Sequence, residues 1–535
     1  MKRPPAIEPN AIDKLVTWLS PERGLARYRS RVMLAMSGGY TGGRRDRRQT
    51  SGWSTATGSA DSDILPDLPL MRERSRALVS NAPLATGAVN TVVTNVVGTG
   101  LKLQARVDRD ALAGVLGTTD EEFDAWERAA EREFRTWAES TDCDVTRTQN
   151  FAGIQELAMR SVLMSGDTLV ARRFPDRGQR IATALQVIEG DRLANAAGTR
   201  DTPEMAGGVK RDSYGAPVAY RILRQHPGDA PANLSEADEI AAFGPSGLRQ
   251  VYHLFHKTRP GQTRGVPYLA PVIESLKQLD QYREAEMMAA VIGAMFTVFI
   301  KTEDGEGLAP MQPTAETGGA ASDKDFKLSP GAMLNLLPNE SVEFANPGRP
   351  NVAFDPFTQA ILRQIGVALE LPFEILIKHF TASYSAAQAA LVEAWKFFRA
   401  RRAWLASGLC QPVYEAVIYE AVARGHLAAP GFMGDPFIRA AYLGAQWVGP
   451  PRGQINQQVE VKAARDRVEG GFSTLAFETA EMTGEDWERN HAQSVKEHRA
   501  RVEGGLIPPT IVPSSSTSTD PNGPDIPGET VPPQG

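Results

Sequence analysis

His253 and His256 stand three residues apart and are the first candidates for a metal pair. Their run is strand-like, however, and residues three apart on a strand face opposite sides, which favours two structural histidines over ligands of one ion. Asp142 and Asp144 form a close acidic pair in a loop that carries no histidine and no further acids. The run Gly471-Phe-Ser473-Thr-Leu475 opens like a nucleophile elbow but lacks its second glycine. No Gly-x-x-x-x-Gly-Lys-Ser/Thr run is present to cradle a nucleotide phosphate, so the chain is not read as an ATPase. The chemistry-bearing residues therefore point away from an enzyme. No catalytic residue, metal ligand or cofactor is expected.

The elements that would carry any function are easier to read. Phe123, Trp126, Ala130, Phe134 and Trp137 recur at spacings of three and four, which predicts a helix over 121–138 with one apolar stripe. Thr118 or Thr119, three residues before Glu121 or Glu122, supplies a capping box. Glu127, Arg128, Glu131, Arg132 and Arg135 are assigned to the opposite, solvated or subunit-facing side. Between 167 and 256 the period shifts to two, and 168–174, 216–222 and 251–255 read as strands. Pro267 and Pro271 suit the first turn of a helix with Leu269, Val272, Leu276, Leu279 and Tyr282 on its apolar face. Lys277, Arg283, Glu284 and Glu286 are its charges for neighbouring subunits.

The longest apolar run, 287–300, is short of the roughly 20 residues a membrane-crossing helix needs and reads as a buried helix passing into a strand. Strand-like pieces follow at 333–337 and 342–344. A further helix is expected after Asp355 as N-cap and Pro356 at N1, with Phe357, Ile361, Ile365 and Ala368 as its stripe. Trp395, Phe398 and Trp404 lie among Lys396, Arg399, Arg401 and Arg402, a pattern of core aromatics and salt-bridging cations. Arg467-Val-Glu-Gly-Gly471 recurs as Arg501-Val-Glu-Gly-Gly505, glycine ends suited to two helices, the second capped by Thr483 with Asp486. Residues 1–70, with the arginine patch 44–48, read as an irregular arm, and 508–535, rich in Pro, Ser, Thr and Gly, as a disordered tail.

At 535 residues with 42% apolar content the chain can form about three domains with extended cores. Two cysteines, Cys143 and Cys410, cannot build a disulfide framework, and no apolar stretch follows the basic N-terminus to serve as a secretion signal. A reducing compartment and no membrane are expected.

Several motifs stand in one order along the chain. They are Arg72-Glu-Arg74-Ser-Arg76, Asn95-Val-Val-Gly98-Thr-Gly100, Met164-Ser-Gly166-Asp167, and Gly208-Val-Lys-Arg-Asp212-Ser-Tyr-Gly215-Ala-Pro217. The long run His253-Leu-Phe-His256-Lys-Thr-Arg259-Pro-Gly-Gln262-Thr-Arg264-Gly-Val-Pro267 and then Ser383-Tyr384-Ser385 up to Trp395 follow. Over 71–506 this series resembles the lambda-type portal proteins of tailed bacteriophages. It departs from the family at Ala386-Ala387-Gln388 and at Asn456-Gln457, where a serine-rich run and an Asp-Pro are usual.

The resemblance implies an α+β portal-type fold: wing 71–265, stem helices 266–299 and 355–373, clip 300–354, tunnel loop 374–384, a long helical segment 385–429 and a helical crown 430–507. It implies a homo-oligomeric ring, a dodecamer, at one capsid vertex of the virion, assembled in the host cytoplasm. Its partners would be double-stranded DNA in the channel, the terminase large subunit, head-tail adaptor proteins, and the major capsid protein with its scaffold. The tunnel loop would present Lys378, His379, Thr381, Ser383 and Tyr384 for passing contact with phosphates, not for base readout. The bland alternative is a plain helix connection in which Ser383 caps the next helix. The net charge of −6 opposes tight DNA binding but is compatible with a conduit, whose wall must let phosphates slide. Two other functions stay open: another non-catalytic capsid or head-tail connector component, or an enzyme acting on DNA.

Overall fold

The computed structural model describes residues 11–36, 57–115, 119–196, 199–229, 235–294, 298–302, 340–344, 354–380, 383–453 and 456–506. The chain divides into two compact units, Met1–Ser59 and Ala60–Gly535.

The first unit corrects the expectation of an irregular arm, because it holds the helices Ala11–Leu19 and Pro21–Met36. Ile12, Leu15, Val16 and Leu19 recur at helical spacing, and Pro21 opens the second helix where a missing N–H is harmless. The arginine patch lies outside the described residues. Regular structure in the second unit begins at Ala60, before the expected start at 71, and Asp61 and Asp63 tie that segment to Arg211 and Arg259 at 3.0 and 2.6 Å.

In the second unit, helices Leu68–Asn81, Pro83–Val96, Asp120–Glu139, Phe151–Ser165 and Gln411–Ala423 converge on one large core. The 120–139 helix forms as its sequence predicts: Thr119 and Glu122 make the capping box, and all five stripe residues are buried. Its far side is not simply solvated. Glu127 and Glu131 each accept a 2.9 Å bond, from the Val107 and Ala105 N–H groups, so they hold the chain around the strand Lys102–Ala105 to the helix. Burial raises the carboxyl pKa of both, and these backbone bonds and nearby arginines oppose that only in part.

All three predicted strands are present, as Asp167–Arg173, Pro217–Leu223 and Val251–Phe255. The first is the centre of a three-stranded antiparallel sheet flanked by Ala184–Glu189 and Val251–Phe255. Its alternating side chains serve two cores, with Val170 in the large one and Leu169 and Ala171 in a smaller one. The smaller core also takes Val209, Tyr220 and Ile222 from a four-stranded antiparallel meander that ends in Ala237–Ala241. The fold is α+β.

A long helix, Ile273–Ala294, follows the proline-bearing turn at Ala270–Val272, and Leu269, Val272, Leu276 and Leu279 are buried as expected. Its later part is not the buried helix that apolarity alone predicts: Met287 and Met288 are 62% and 61% exposed. Strands Val298–Thr302 and Glu340–Phe344 then pair antiparallel, Val342 opposite Ile300. The strand expected at 333–337 lies outside the described residues. The next helix, Phe354–Ala368, starts one residue before Asp355, so this side chain lies in the first turn and accepts from Gln359 Nε2 at 2.7 Å instead of capping. Of the expected stripe Ile365 is buried and Ile361 half-buried against the core, whereas Phe357 is exposed beside the Tyr282 ring and Ala368 is exposed; Leu362 and Gly366 complete the buried side.

Tyr384–Leu405 continues through one wide turn, Ala406–Cys410, into the 411–423 helix. Trp395 and Phe398 are buried, the Arg402 guanidinium lies 5.1 Å over the Trp395 ring, and Arg399 reaches Glu481 at 3.4 Å. Helices Gln457–Glu469 and Trp487–Glu503 both end on the predicted glycine pairs, Gly471 and Gly505 standing at φ 73° and 70°. Between them lies an unforeseen helix, Leu475–Thr483. Thr483 is its last residue and bonds back to Thr479 O, which leaves Asp486 alone to cap 487–503. The tail 508–535 lies outside the described residues. Both cysteines are free and buried, and among the described residues no helix is long and apolar enough to cross a membrane.

Candidate functional site

The 373–384 segment is only partly a loop. Phe373–Ile377 is a helical turn with Ile375 and Leu376 buried, which corrects the expectation that the exposed run begins at 374. Apolar residues at 373, 375, 376 and 377 anchor that turn in the core. Lys378 ends it in the left-handed region, φ 55°, and the His379 N–H donates to Glu374 O at 3.1 Å. Lys378, His379 and Phe380 are all exposed. Thr381 lies outside the described residues. The Ser383 hydroxyl accepts from the Ala386 N–H at 3.4 Å, so the capping role is real, and Tyr384 is the first residue of the helix, its side chain outside the description. The result is a short cationic segment held at both ends by helices. It can donate to an acceptor passing outside.

A second constellation is entirely internal. The Phe151–Ser165 helix ends on Gly166 at φ 89°, and Asp167 follows with no exposed surface. Its carboxylate accepts from Arg72 Nη2, from Arg264 Nε at 2.5 Å and from His253 Nε2 at 3.2 Å. Arg264 also donates to Leu193 O and Gly207 O, each at 2.7 Å, and to Gly190 O. Arg72 Nε reaches Ser165 O at 2.8 Å, while Arg76 pairs with Asp191. The turns at 166 and 265 must be glycine: a Cβ on Gly265 would sit 1.9 Å from Gly166 O, and one on Gly166 would sit 2.5 Å from Gly265 O.

Burial alone would raise the Asp167 pKa, but Arg264 and Arg72 outweigh it and hold the carboxyl well below its usual range. Burial is also the main reason the His253 pKa is lowered; its bond to Asp167 opposes this, and the two arginines add to it. His253 is therefore a neutral donor at pH 7. A closed ionic hub of this kind fixes segments relative to one another and offers no open face to a substrate. His256 goes elsewhere, packing edge-on to Trp404 at 5.9 Å, and no group of three or more His, Cys, Asp or Glu that could hold a metal occurs among the described residues.

Arg72, Arg76, Gly166, Asp167, His253, Arg264 and Gly265 are the heart of three motifs separated by some 90 residues each, and the fold brings them to one point. A family model described as phage portal protein, lambda family, matches residues 46–402. The chain belongs to the lambda family of phage portal proteins. Among similar proteins, the portal protein of Escherichia phage N15 is 27% identical over 483 residues, covering 86% of this chain and 90% of that one. Portal protein B of Escherichia phage lambda is 26% identical over 495 residues, covering 88% and 91%. A chain from the neck of an empty gene transfer agent particle, computed with C6 symmetry, aligns at TM-score 0.41 and 16% identity, over 84% of this chain and 96% of that one. The family match stops at 402 and so leaves out the three helices between 457 and 503 that the resemblance had included.

For this portal chain, sequence reasoning had taken the hub residues as isolated motif letters. The available signal was Asp167 itself, an acid opening the apolar run Thr168-Leu-Val-Ala171, where only buried cations could keep it charged.

Proposed function

We propose that the chain closes into a ring, a dodecamer, at a single capsid vertex and forms the channel through which DNA is packaged and ejected. The ring would dock the terminase large subunit during packaging and head-tail adaptor proteins afterwards, with the major capsid protein and scaffold around it. Wing, stem, clip and crown correspond in this reading to the segments at 71–265, 266–299 with 355–373, 300–354 and 430–507. The role is structural and needs no catalytic residue or cofactor. Besides membership in the portal family, one observation carries the reading: the two helices assigned to the stem leave Met287, Met288 and Val367 at 62%, 61% and 82% exposure. Apolar side chains repeated along paired helices call for a neighbour, and a closed ring of identical copies supplies one to every subunit.

Lys378 and His379, with Thr381, Ser383 and Tyr384 beside them, are the residues assigned to the channel wall. Purified protein should appear in negative stain as rings with a central hole, without added nucleotide. Met287→Glu with Met288→Glu should give folded subunits that no longer close. Monomers of the parent protein at micromolar concentration would overturn the reading.

A further inference from the structure

The helices 457–469, 475–483 and 487–503 are folded almost without a core. Among the described residues, none of 456–506 joins either hydrophobic core, and the apolar side chains buried there are those of Ala464 and Ala480. Val459, Phe472 and Leu475 remain 62%, 87% and 51% exposed, and the 487–503 helix buries nothing. Apolar burial therefore does little to hold these helices against the rest of the fold.

Charge takes its place. Lys102 on strand 102–105 meets Glu485 at 2.7 Å, Arg106 just beyond that strand meets Glu488 at 3.5 Å, and Arg399 on the 384–405 helix meets Glu481 at 3.4 Å. All three pairs are open to water, the first with both partners close to half exposed. The seam they bridge is hollow: a cavity of about 420 Å³ lies between 484–489, the strand and the 120–139 helix. The chain crosses from one part to the other through Pro450, Pro451 and Arg452, and the Arg452 N–H donates to Glu481 O at 3.4 Å while its Nε is buried.

We propose that 456–506 is an arm clamped by ions: it docks on the body at low ionic strength and swings away, pivoting at 450–452, as salt rises. A packed apolar seam would keep its strength in salt, whereas exposed ion pairs are screened, the Debye length shrinking from about 10 Å at 0.1 M to about 3 Å at 1 M. The arm so released keeps its own helices, because Arg467 and Glu478, paired at 2.6 Å, join two of them from within. The device belongs to the single subunit and does not depend on closure of a ring.

Trypsin reads the position of the arm, because the Arg452–Gly453 bond is held against Glu481 when the arm is docked and is freed when it leaves. The full-length protein in its assembled form is digested at 0.1 and 1 M NaCl, a reporter peptide corrects for the effect of salt on the protease, and cleavage after Arg452 is followed by mass spectrometry. Cleavage should be about ten-fold faster or more at 1 M. Lys102→Glu should raise the low-salt rate about three-fold or more, and adding Glu485→Lys, which restores the pair with its charges exchanged, should bring the rate back down. Equal rates at both salt concentrations would overturn the proposal. So would salt-dependent cleavage that Lys102→Glu leaves unchanged or that the exchanged pair does not rescue, since the clamp would then lie elsewhere.

Discussion

At the scale of residues, the decisive group is Asp167. Its charge is held by two buried arginines, Arg72 and Arg264, each in a direct ion pair with it. Asp167→Asn keeps the size of the side chain but strands both guanidinium groups, and breaking such a buried pair costs about 3–5 kcal/mol. Urea denaturation of the variant should show that loss, whereas Asp191→Asn, which breaks the more accessible pair with Arg76, should cost less. The hub also fixes the direction of the pH response. Asp167 is depressed when folded, so its contribution is complete above the unfolded carboxylate value near 4 and disappears as pH falls through the lower folded value. His253 is depressed as well, so the unfolded chain takes up its proton first, near pH 6.5, and stability falls from there downward. Both groups therefore destabilise on acidification. His253→Gln should flatten the part of the stability curve between pH 7 and 5, leaving the share from His256, whose pKa burial and Arg401 also lower, and the opposite share from the raised carboxyls of Glu127 and Glu131. An unchanged slope in that variant would mean that His253 is not buried neutral.

At the scale of elements, the 373–384 segment can be tested apart from the hub. Lys378 and His379 are exposed and their side chains support no core contact, so replacing both with alanine should leave the melting temperature and ring assembly intact. If they touch DNA in transit, the same protein should package or retain less genome in an assembly reaction. Wild-type yield of full-length genomes would remove the segment from the channel wall, and failure to form rings would make it structural. The elements also show what the sequence discloses. Helix 120–139 was readable to within one residue because its stripe and cap are local signals, and the same holds for strands 167–173 and 251–255. The helix 354–368 was placed correctly but its buried side only in part: Ile365 was foreseen, whereas Gly366 is buried because the Leu371 carbonyl packs on it, a tertiary fact. The charged residues Glu127 and Glu131 were misread for a similar reason: their partners are backbone groups some 20 residues away, which no periodicity records. The site residues were legible only as a motif resemblance, and the hub that unites the motifs appears only once the chain is folded.

At the scale of the whole molecule, net charge limits what a DNA-contacting ring can do. A chain with 58 basic and 64 acidic side chains carries −6, and a ring multiplies that value by the number of its copies. Tight binders of duplex DNA gather Lys and Arg at phosphates and release counterions, so their affinity drops steeply with salt, with a slope close to the number of phosphates neutralised. A conduit works against that design, because each phosphate that is held must be released before the duplex advances. If the exposed Lys378 and His379 line the proposed channel, they are few enough to guide without holding. Assembled protein mixed with linear duplex should accordingly bind no more tightly than about 10 μM at physiological salt, in the range of non-specific contacts. The slope of log affinity against log salt should stay shallow, about two or less per bound copy, and Lys378→Ala should lower it further. Submicromolar binding with a steep slope would show a gripping surface elsewhere on the molecule and would turn the reading from a passive channel toward a protein that acts on DNA.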